Sequence, residues 1–301
     1  MKAVQFNAYG GPEVLRVADV AEPHADAGHV RIAVRVSGVN PSDWKRRAGL
    51  YRDFDPVTFP AGVGVEAAGI VDEIGSGVNG VALGDAVFGF GANTAAQHAV
   101  LTHWAQKPAT MSFEVAGGIA VVTETALRSL DALEVKRGEW LLVSGAAGGV
   151  GSAIIQLARL RGIRVIGTAG TQNQDYLRGL GAVPTTYGPN LAERVRTLAP
   201  NGINAALDVA GSGIIPELIE ITGDPRRVVS IADFTASHYG ARFSAGPPTE
   251  PAQVLADVAR LYADGYFRLH VARSFALEEI ADAHAVSAGG HVTGKLIICV
   301  V

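Results

Sequence analysis

Cysteine is almost missing from this chain: one residue in 301, Cys299, in the apolar run KLIICVV. A disulfide within the chain is therefore excluded, and so is a cysteine-rich zinc site. Cys299 reads as a buried thiol in a terminal strand. The eight histidines are scattered, without HxxxH or HExxH spacing, so no catalytic metal is expected. Neither sign of charge dominates, with a net −4 and 18% charged residues, and a nucleic-acid partner is not expected. The pairs Arg46-Arg47 and Arg226-Arg227 read as solvated faces. No apolar stretch is long enough to span a bilayer. MKAVQFNAYGG lacks the apolar core and cleavage site of a signal peptide, so a soluble, cytoplasmic protein without a membrane partner is the expectation.

Glycine, by contrast, is concentrated. Four fall within seven residues of SGAAGGVGSAIIQLARLRG, residues 144 to 162. Glycine costs backbone entropy wherever it is ordered. The stretch is either a loose loop or a turn where backbone approaches something closely. Its flanks favour the second reading. Trp140 to Val143 form a short apolar run of strand character, and Ile154, Ile155, Leu157, Ala158 and Leu160 recur at helical spacing up to Gly162. A second strand, IRVIGTA, follows. Gly145, Gly148 and Gly151 thus form a GxxGxxG turn between strand and helix. Such a turn lets main-chain N–H groups near Val150 to Ser152 face a pyrophosphate.

Residues 1 to 112 read as a β-rich domain. HVRIAVRVSGV alternates, with Val30, Ile32, Val34 and Val36 on one face and Arg31 and Arg35 on the other, and AAGIVDEIG and DAVFGF are further strands. From residue 113 to 245 a helix, FEVAGGIAVVTETALRSLDAL, is followed by strand–helix alternation, which predicts a parallel sheet of Rossmann type. SAGPPTEP reads as a loop. Residues 246 to 301, with a helix at AQVLADVARLYADG and a strand at GKLIICVV, return to the first domain, so the nucleotide domain is an insertion.

At this point the chain resembles a known family. Gly138-Glu139, Leu142, Ala146-Ala147-Gly148-Gly149, Gly151, Gln156 and Arg159 are similar to the signature of quinone oxidoreductases and ζ-crystallins, the zinc-free branch of the medium-chain dehydrogenase/reductases. SGVNPSDWKRRAGLY, FPAGVGVEAAGIVDEIGSGV, TALRSL and AHAVSAGGHVTGKLII resemble further family segments. The resemblance implies an α/β fold, with a Rossmann-type parallel-sheet domain inserted in a β-rich GroES-like barrel domain. It also implies NADPH as cofactor, hydride transfer to a quinone or similar electron-poor acceptor, and a homodimer. Zinc-dependent relatives place metal-binding Cys and His where this chain has Asn40 and Val65, so no zinc is expected. An enoyl or alkenal double-bond reductase, and a non-catalytic crystallin-like NADPH-binding protein, remain the alternatives.

The residues expected to act follow. By resemblance, Ala147, Gly148, Gly149 and Val150 face the pyrophosphate and Thr125 lies near the nicotinamide. Val209, Ala210 and Gly211 after Asp208, and Ile231, Ala232 and Asp233 after Ser230, edge the crevice at the strand ends. For Asp208 and Asp233, turn chemistry is an equal reading. An NAD site wants a carboxylate at the end of the second strand. Here that place holds Thr168, Gly170 and Thr171, and the first acid, Asp175, falls within the next helix. With Gln172, Asn173 and Tyr187, these small neutral groups suit a 2′-phosphate and predict NADPH over NADH. Many family members carry a lysine just past this stretch, where this chain has Gln174. Tyr187 also reads as a half-buried aromatic. Asn40 and Tyr51 are the catalytic candidates, the first to bond an acceptor carbonyl or the cofactor, the second to bond or protonate the oxygen that gains charge. Their blander readings are a turn-forming Asn before Pro41 and a packing tyrosine. Asp43 braces the loop and Trp44 walls the pocket.

Overall fold

The structure is a computed structural model that describes residues 1–246 and 249–300. The two prolines of the expected SAGPPTEP loop, Pro247 and Pro248, lie outside the described residues. The chain forms two compact units, Met1–Val121 with Glu250–Val301, and Val122–Thr249. Among the described residues no helix is long and apolar enough to cross a membrane.

In chain order the first unit begins with β1 (Lys2–Phe6), β2 (Arg16–Asp19) and β3 (Val30–Val39). It continues with α1 (Pro41–Arg47), β4 (Ala61–Gly62), β5 (Glu66–Ile74), β6 (Ala86–Gly91) and β7 (His98–Gln106). Helix α2 (Phe113–Leu133) has the limits that its apolar spacing predicts. Strands β3, β5, β6 and β7 pair antiparallel in that order, and β7 pairs back to β3, which closes a barrel. Its interior is filled by Val30, Ile32, Val34, Ala67, Val71, Val87, Ala99 and Leu101. The alternation expected along β3 holds as far as Val36. Beyond it Ser37, Gly38 and Val39 are all buried, because a strand from the far end of the chain pairs there.

The second unit contains β8 (Trp140–Ser144), α3 (Gly149–Leu160), β9 (Arg164–Thr168), α4 (Gln174–Leu180), β10 (Val183–Thr185) and α5 (Leu191–Leu198). After these come β11 (Ala205–Asp208), α6 (Ile215–Thr222), β12 (Val228–Ser230) and β13 (Arg242–Phe243). All pairings are parallel, and the sheet order is β10-β9-β8-β11-β12-β13. Numbered within the unit this is 3-2-1-4-5-6, the doubly wound dinucleotide order. The strand order reverses between β8 and β11, so the ends of these two strands, Ser144 and Asp208, flank the switch point. The core beneath is apolar, with Leu142, Ile166, Leu191, Ala206, Ile215, Leu218 and Val228 fully buried. The chain then returns to the first unit with α7 (Pro251–Ala263), β14 (Val271–Ala276), α8 (Ile280–Gly289) and β15 (Lys295–Cys299). β15 lies between β14 and β3, antiparallel to the latter. The architecture is α/β, a Rossmann-type parallel sheet inserted into a β-rich barrel unit.

Candidate functional site

The glycine turn occupies the switch point of the parallel sheet. Gly145 takes φ +81°, and a Cβ there would come within 3.1 Å of the side chains of Val209 and Ala210 on the turn after β11. Two main-chain bonds fix the turn in place, Ala146 N–H to Thr168 O at 3.0 Å and Val209 N–H to Ser144 O at 3.0 Å. Helix α3 then starts immediately, with Gly148 as N-cap and therefore no capping side chain. Gly149, Val150 and Gly151 donate their N–H groups to no other backbone group among the described residues. These are the orphan donors of a helix start, and the helix dipole adds positive potential there. A Cβ on Gly151 would lie 2.5 Å from Gly145 O, so the first turn of α3 sits directly on the loop. A cradle of main-chain donors closed by a glycine on its inner side fits a diphosphate.

The two strand-end turns opposite are built by side chains. Asp208 is fully buried. Its Oδ1 accepts from the N–H groups of Ala210 (3.1 Å) and Gly211 (3.0 Å), and its Oδ2 accepts from Ser230 Oγ (2.8 Å). Ser230 Oγ in turn accepts from the N–H groups of Ala232 and Asp233. Asp233 accepts from the N–H and hydroxyl of Thr235. Turn chemistry thus occupies both carboxylates, and through them it positions Val209, Ala210, Gly211, Ile231 and Ala232. Thr125 lies nearly buried on α2, its hydroxyl 3.4 Å from Glu124 Oε2.

Beyond β9, Thr168 is buried, with its hydroxyl 3.4 Å from Gly145 N–H, while Thr171 and Gln172 are exposed on a short 3₁₀ turn that follows Gly170 and ends at Asn173. Asp175 lies in α4, ion-paired to Arg178, so no carboxylate stands at the strand end. Gln174 folds its amide inward onto three carbonyl oxygens, those of Ala169 (3.0 Å), Gly170 (3.2 Å) and Thr185 (3.2 Å). Tyr187 stands in the loop after β10, 54% exposed. That loop is held by Arg194, a residue that sequence reasoning missed because nothing in its spacing marks it.

In the barrel unit, Asn40 is 4% exposed and its amide is engaged on both sides. Nδ2 donates to Glu66 Oε1 at 3.0 Å, and Oδ1 accepts from Lys295 Nζ. Lys295 Nζ also donates to Glu66 Oε1 at 2.7 Å, and Glu66 Oε2 accepts from Val121 N–H at 2.8 Å. The result is a buried ion pair with the Asn40 amide bridging it. Asp43 has the bracing role expected of it: its Oδ2 accepts from Asn40 N–H at 2.7 Å. Tyr51 follows on the loop after α1, its ring 5.3 Å from that of Phe54. Burial pushes its phenol up to about 12, with Asp43 and Asp55 adding to the rise. The indole Nε1 of Trp44 is buried without a hydrogen-bond partner among the described residues.

The reading of Arg46-Arg47 as a solvated face is corrected. Arg47 is 3% exposed, and burial lowers its pKa. It turns inward because the stretch forms α1, whose inner face carries Asp43 and Arg47 at i and i+4. Arg226 keeps the solvated character expected of it, with 86% of its side chain exposed.

Two buried groups oppose one another in their pH dependence. Burial pushes the Asp43 carboxyl from 3.8 up to about 7; Asn40 N–H, Lys295 and Arg46 pull it down and Glu66 adds to the rise. The folded state therefore keeps a proton that the unfolded chain has lost, and stability falls as pH rises from about 4 to about 7. Burial and then the Arg47 charge push His284 from 6.5 down to about 4, so there stability falls as pH drops from about 6.5 to about 4. Each slope is about 1.4 kcal/mol per pH unit for one proton. We expect Asp43→Asn to gain melting temperature over the wild type as pH rises from 4 to 7, and His284→Gln to gain it as pH falls from 6.5 to 4. Calorimetry across this range checks both, and difference curves that stay flat would count against them.

Comparison with known proteins bears on both units. The family profile described as "Alcohol dehydrogenase GroES-like domain" matches residues 26–120, and the one described as "Zinc-binding dehydrogenase" matches residues 185–298. The chain is 30% identical to the quinone oxidoreductase of Rattus norvegicus over 242 residues, 77% of this chain and 73% of that protein. It belongs to the quinone oxidoreductase-like medium-chain dehydrogenase/reductases. The chain is also 28% identical to the 2-methylene-furan-3-one reductase of Solanum lycopersicum, over 99% of its own length and 79% of that protein. Among solved structures, a mycobacterial protein complexed with NADPH superposes over all of both chains with TM-score 0.86 at 25% identity. Among the described residues, no group of three or more His, Cys, Asp or Glu could hold a metal ion.

Proposed function

We propose that the protein is an NADPH-dependent reductase that passes hydride to a quinone or a similar electron-poor acceptor, with no part for zinc. The observation that carries this reading is the set of open N–H groups at Gly149, Val150 and Gly151 on the switch point of a doubly wound sheet, in a chain of this family. When bound, NADPH supplies the hydride. The chain's own part is to hold and orient. Ala147 to Val150 grip the diphosphate, Thr125 lies toward the nicotinamide, and the turns at Val209 to Gly211 and Ile231 to Asp233 edge the crevice. Thr168, Gly170, Thr171, Gln172, Asn173 and Tyr187 take the adenosine end, where no carboxylate repels a 2′-phosphate.

Tyr51 is assigned to the acceptor, whereas Asn40, expected to bond it, has its buried amide held by Glu66 and Lys295 and is assigned to shaping the site. With its phenol pushed up to about 12, Tyr51 keeps its proton at neutral pH, as a group that protonates an oxygen gaining charge must. Asn40 and Val65 offer no thiolate or imidazole to a metal, which favours acceptors that are already electron-poor over alcohols.

We expect a panel of quinones, conjugated enones and enoyl thioesters to consume NADPH, with quinones fastest and NADH slower than NADPH; loss of nucleotide fluorescence follows the reaction. Turnover with enones or enoyl thioesters alone would replace this reading with a double-bond reductase, which the tomato relative favours. Saturable NADPH binding with no turnover across the panel would leave a nucleotide-binding protein without reductase activity.

A further inference from the structure

We propose that Arg194 supplies the positive charge by which this protein reads the 2′-phosphate of NADPH, the task left vacant by glutamine at position 174. The proposal rests on the NADPH reading above and names the residue that makes it selective. Residues 170 to 174, Gly-Thr-Gln-Asn-Gln, contain no cation, and the Gln174 amide is spent on three carbonyls of its own surroundings. A phosphate bound beside this stretch would meet only neutral donors.

Arg194 lies on α5 and reaches the same rim. Its Nε donates to Thr185 Oγ1 (3.3 Å), Nη2 to Thr186 O (2.9 Å) and Gly188 O (3.3 Å), and Nη1 to Pro189 O (2.5 Å). Thr185 pairs with Thr168 across the parallel ladder, and its carbonyl accepts from Gln174. One residue therefore ties the loop after β9 to the loop after β10, and Arg194 is fastened to it.

Every one of those acceptors is neutral. Arg194 forms no ion pair with a carboxylate among the described residues, so its charge is held in place and left uncompensated. It also sits in the first half of α5, where the helix dipole disfavours a cation; the helix itself gives no reason for a cation there. The loop it braces carries exposed Tyr187. A fixed cation bonded to the loop that carries a tyrosine, next to a strand end without an acid, would distinguish a phosphomonoester from a ribose hydroxyl.

The test is equilibrium titration of the full chain with NADPH and NADH, and with 2′,5′-ADP and 5′-AMP, which differ only in the 2′-phosphate. We expect Arg194→Gln to weaken NADPH and 2′,5′-ADP about tenfold and NADH and 5′-AMP less than about twofold. The salt dependence of NADPH binding should become shallower in the same variant. Arg194→Lys, which keeps the charge and gives up the planar fork, should stay within about threefold of wild type for all four ligands. Equal losses for phosphorylated and unphosphorylated ligands would reduce Arg194 to a loop brace and overturn the proposal, as would no loss at all. If Arg194→Gln does not fold, Arg194→Lys and the salt dependence of the wild type decide: a wild-type NADPH affinity no more salt-dependent than that for NADH overturns it. A wild type that binds none of the four defeats the NADPH reading itself, and one that binds NADH as tightly as NADPH defeats the NADPH preference.

Discussion

Gly151→Val raises the dissociation constant for NADPH at least about a hundredfold, while the barrel unit stays folded. The reason is steric and local. A Cβ at residue 151 would stand 2.5 Å from Gly145 O, 2.7 Å from Ala146 Cα and 2.8 Å from Ala146 C, all main-chain atoms that no rotamer can move. Valine adds two methyl groups to that overlap, so α3 must back away from the turn and take the N–H groups of Gly149 and Val150 with it. Hydrogen bonds to a charged group contribute about 1.5–3 kcal/mol each, and losing one or two of them is enough for about a hundredfold. Fluorescence titration with NADPH measures the effect, and Gly151→Ala, with the smallest possible side chain, gives a graded version. Wild-type affinity in both variants would count against the turn as the diphosphate site.

Lys295→Met destabilises the protein by about 3–5 kcal/mol, the usual consequence of leaving a buried charge without its partner. Glu66 and Lys295 are both almost completely buried, and the methionine would leave the Glu66 carboxylate with Asn40 Nδ2 and Val121 N–H as its donors among the described residues. The double variant Glu66→Gln with Lys295→Met removes both charges and should recover at least half of the loss. Urea midpoints of the wild type, both single variants and the double variant close the cycle. A double variant no more stable than Lys295→Met alone would show that packing, rather than charge, dominates at this place.

How much of this was legible beforehand depends on sequence distance. Helix α2 and the strand–turn–helix at Trp140 to Leu160 were readable because apolar spacing and glycine chemistry are local. The doubly wound order then followed from repeated strand–helix units and the right-handed crossover rule. Strand β7 escaped notice, since only part of it is buried and its alternation is weak. The two-residue β13 has no pattern to read at all. Asn40 was singled out as a group that meets the acceptor, yet no sequence rule joins it to Lys295, 255 positions away. The same holds for Arg47, whose burial comes from the face of α1 it occupies. Gln174 was recognised as a missing charge, but its three carbonyl partners, and Arg194 beside them, come together only when β9 and β10 lie side by side.

The placement of β15 between β14 and β3 has a consequence for biosynthesis. On the ribosome, the nucleotide-binding unit is complete once residue 249 has emerged. The barrel unit must still wait for its ammonium: until Lys295 is made, the Glu66 carboxylate has no counter-charge and the Ser37 to Val39 end of β3 has no neighbour on that side. A chain cut short before residue 295 would thus carry a finished nucleotide unit and a barrel unit whose Glu66 lacks its counter-charge and whose β3 lacks its partner at Val36 to Val39.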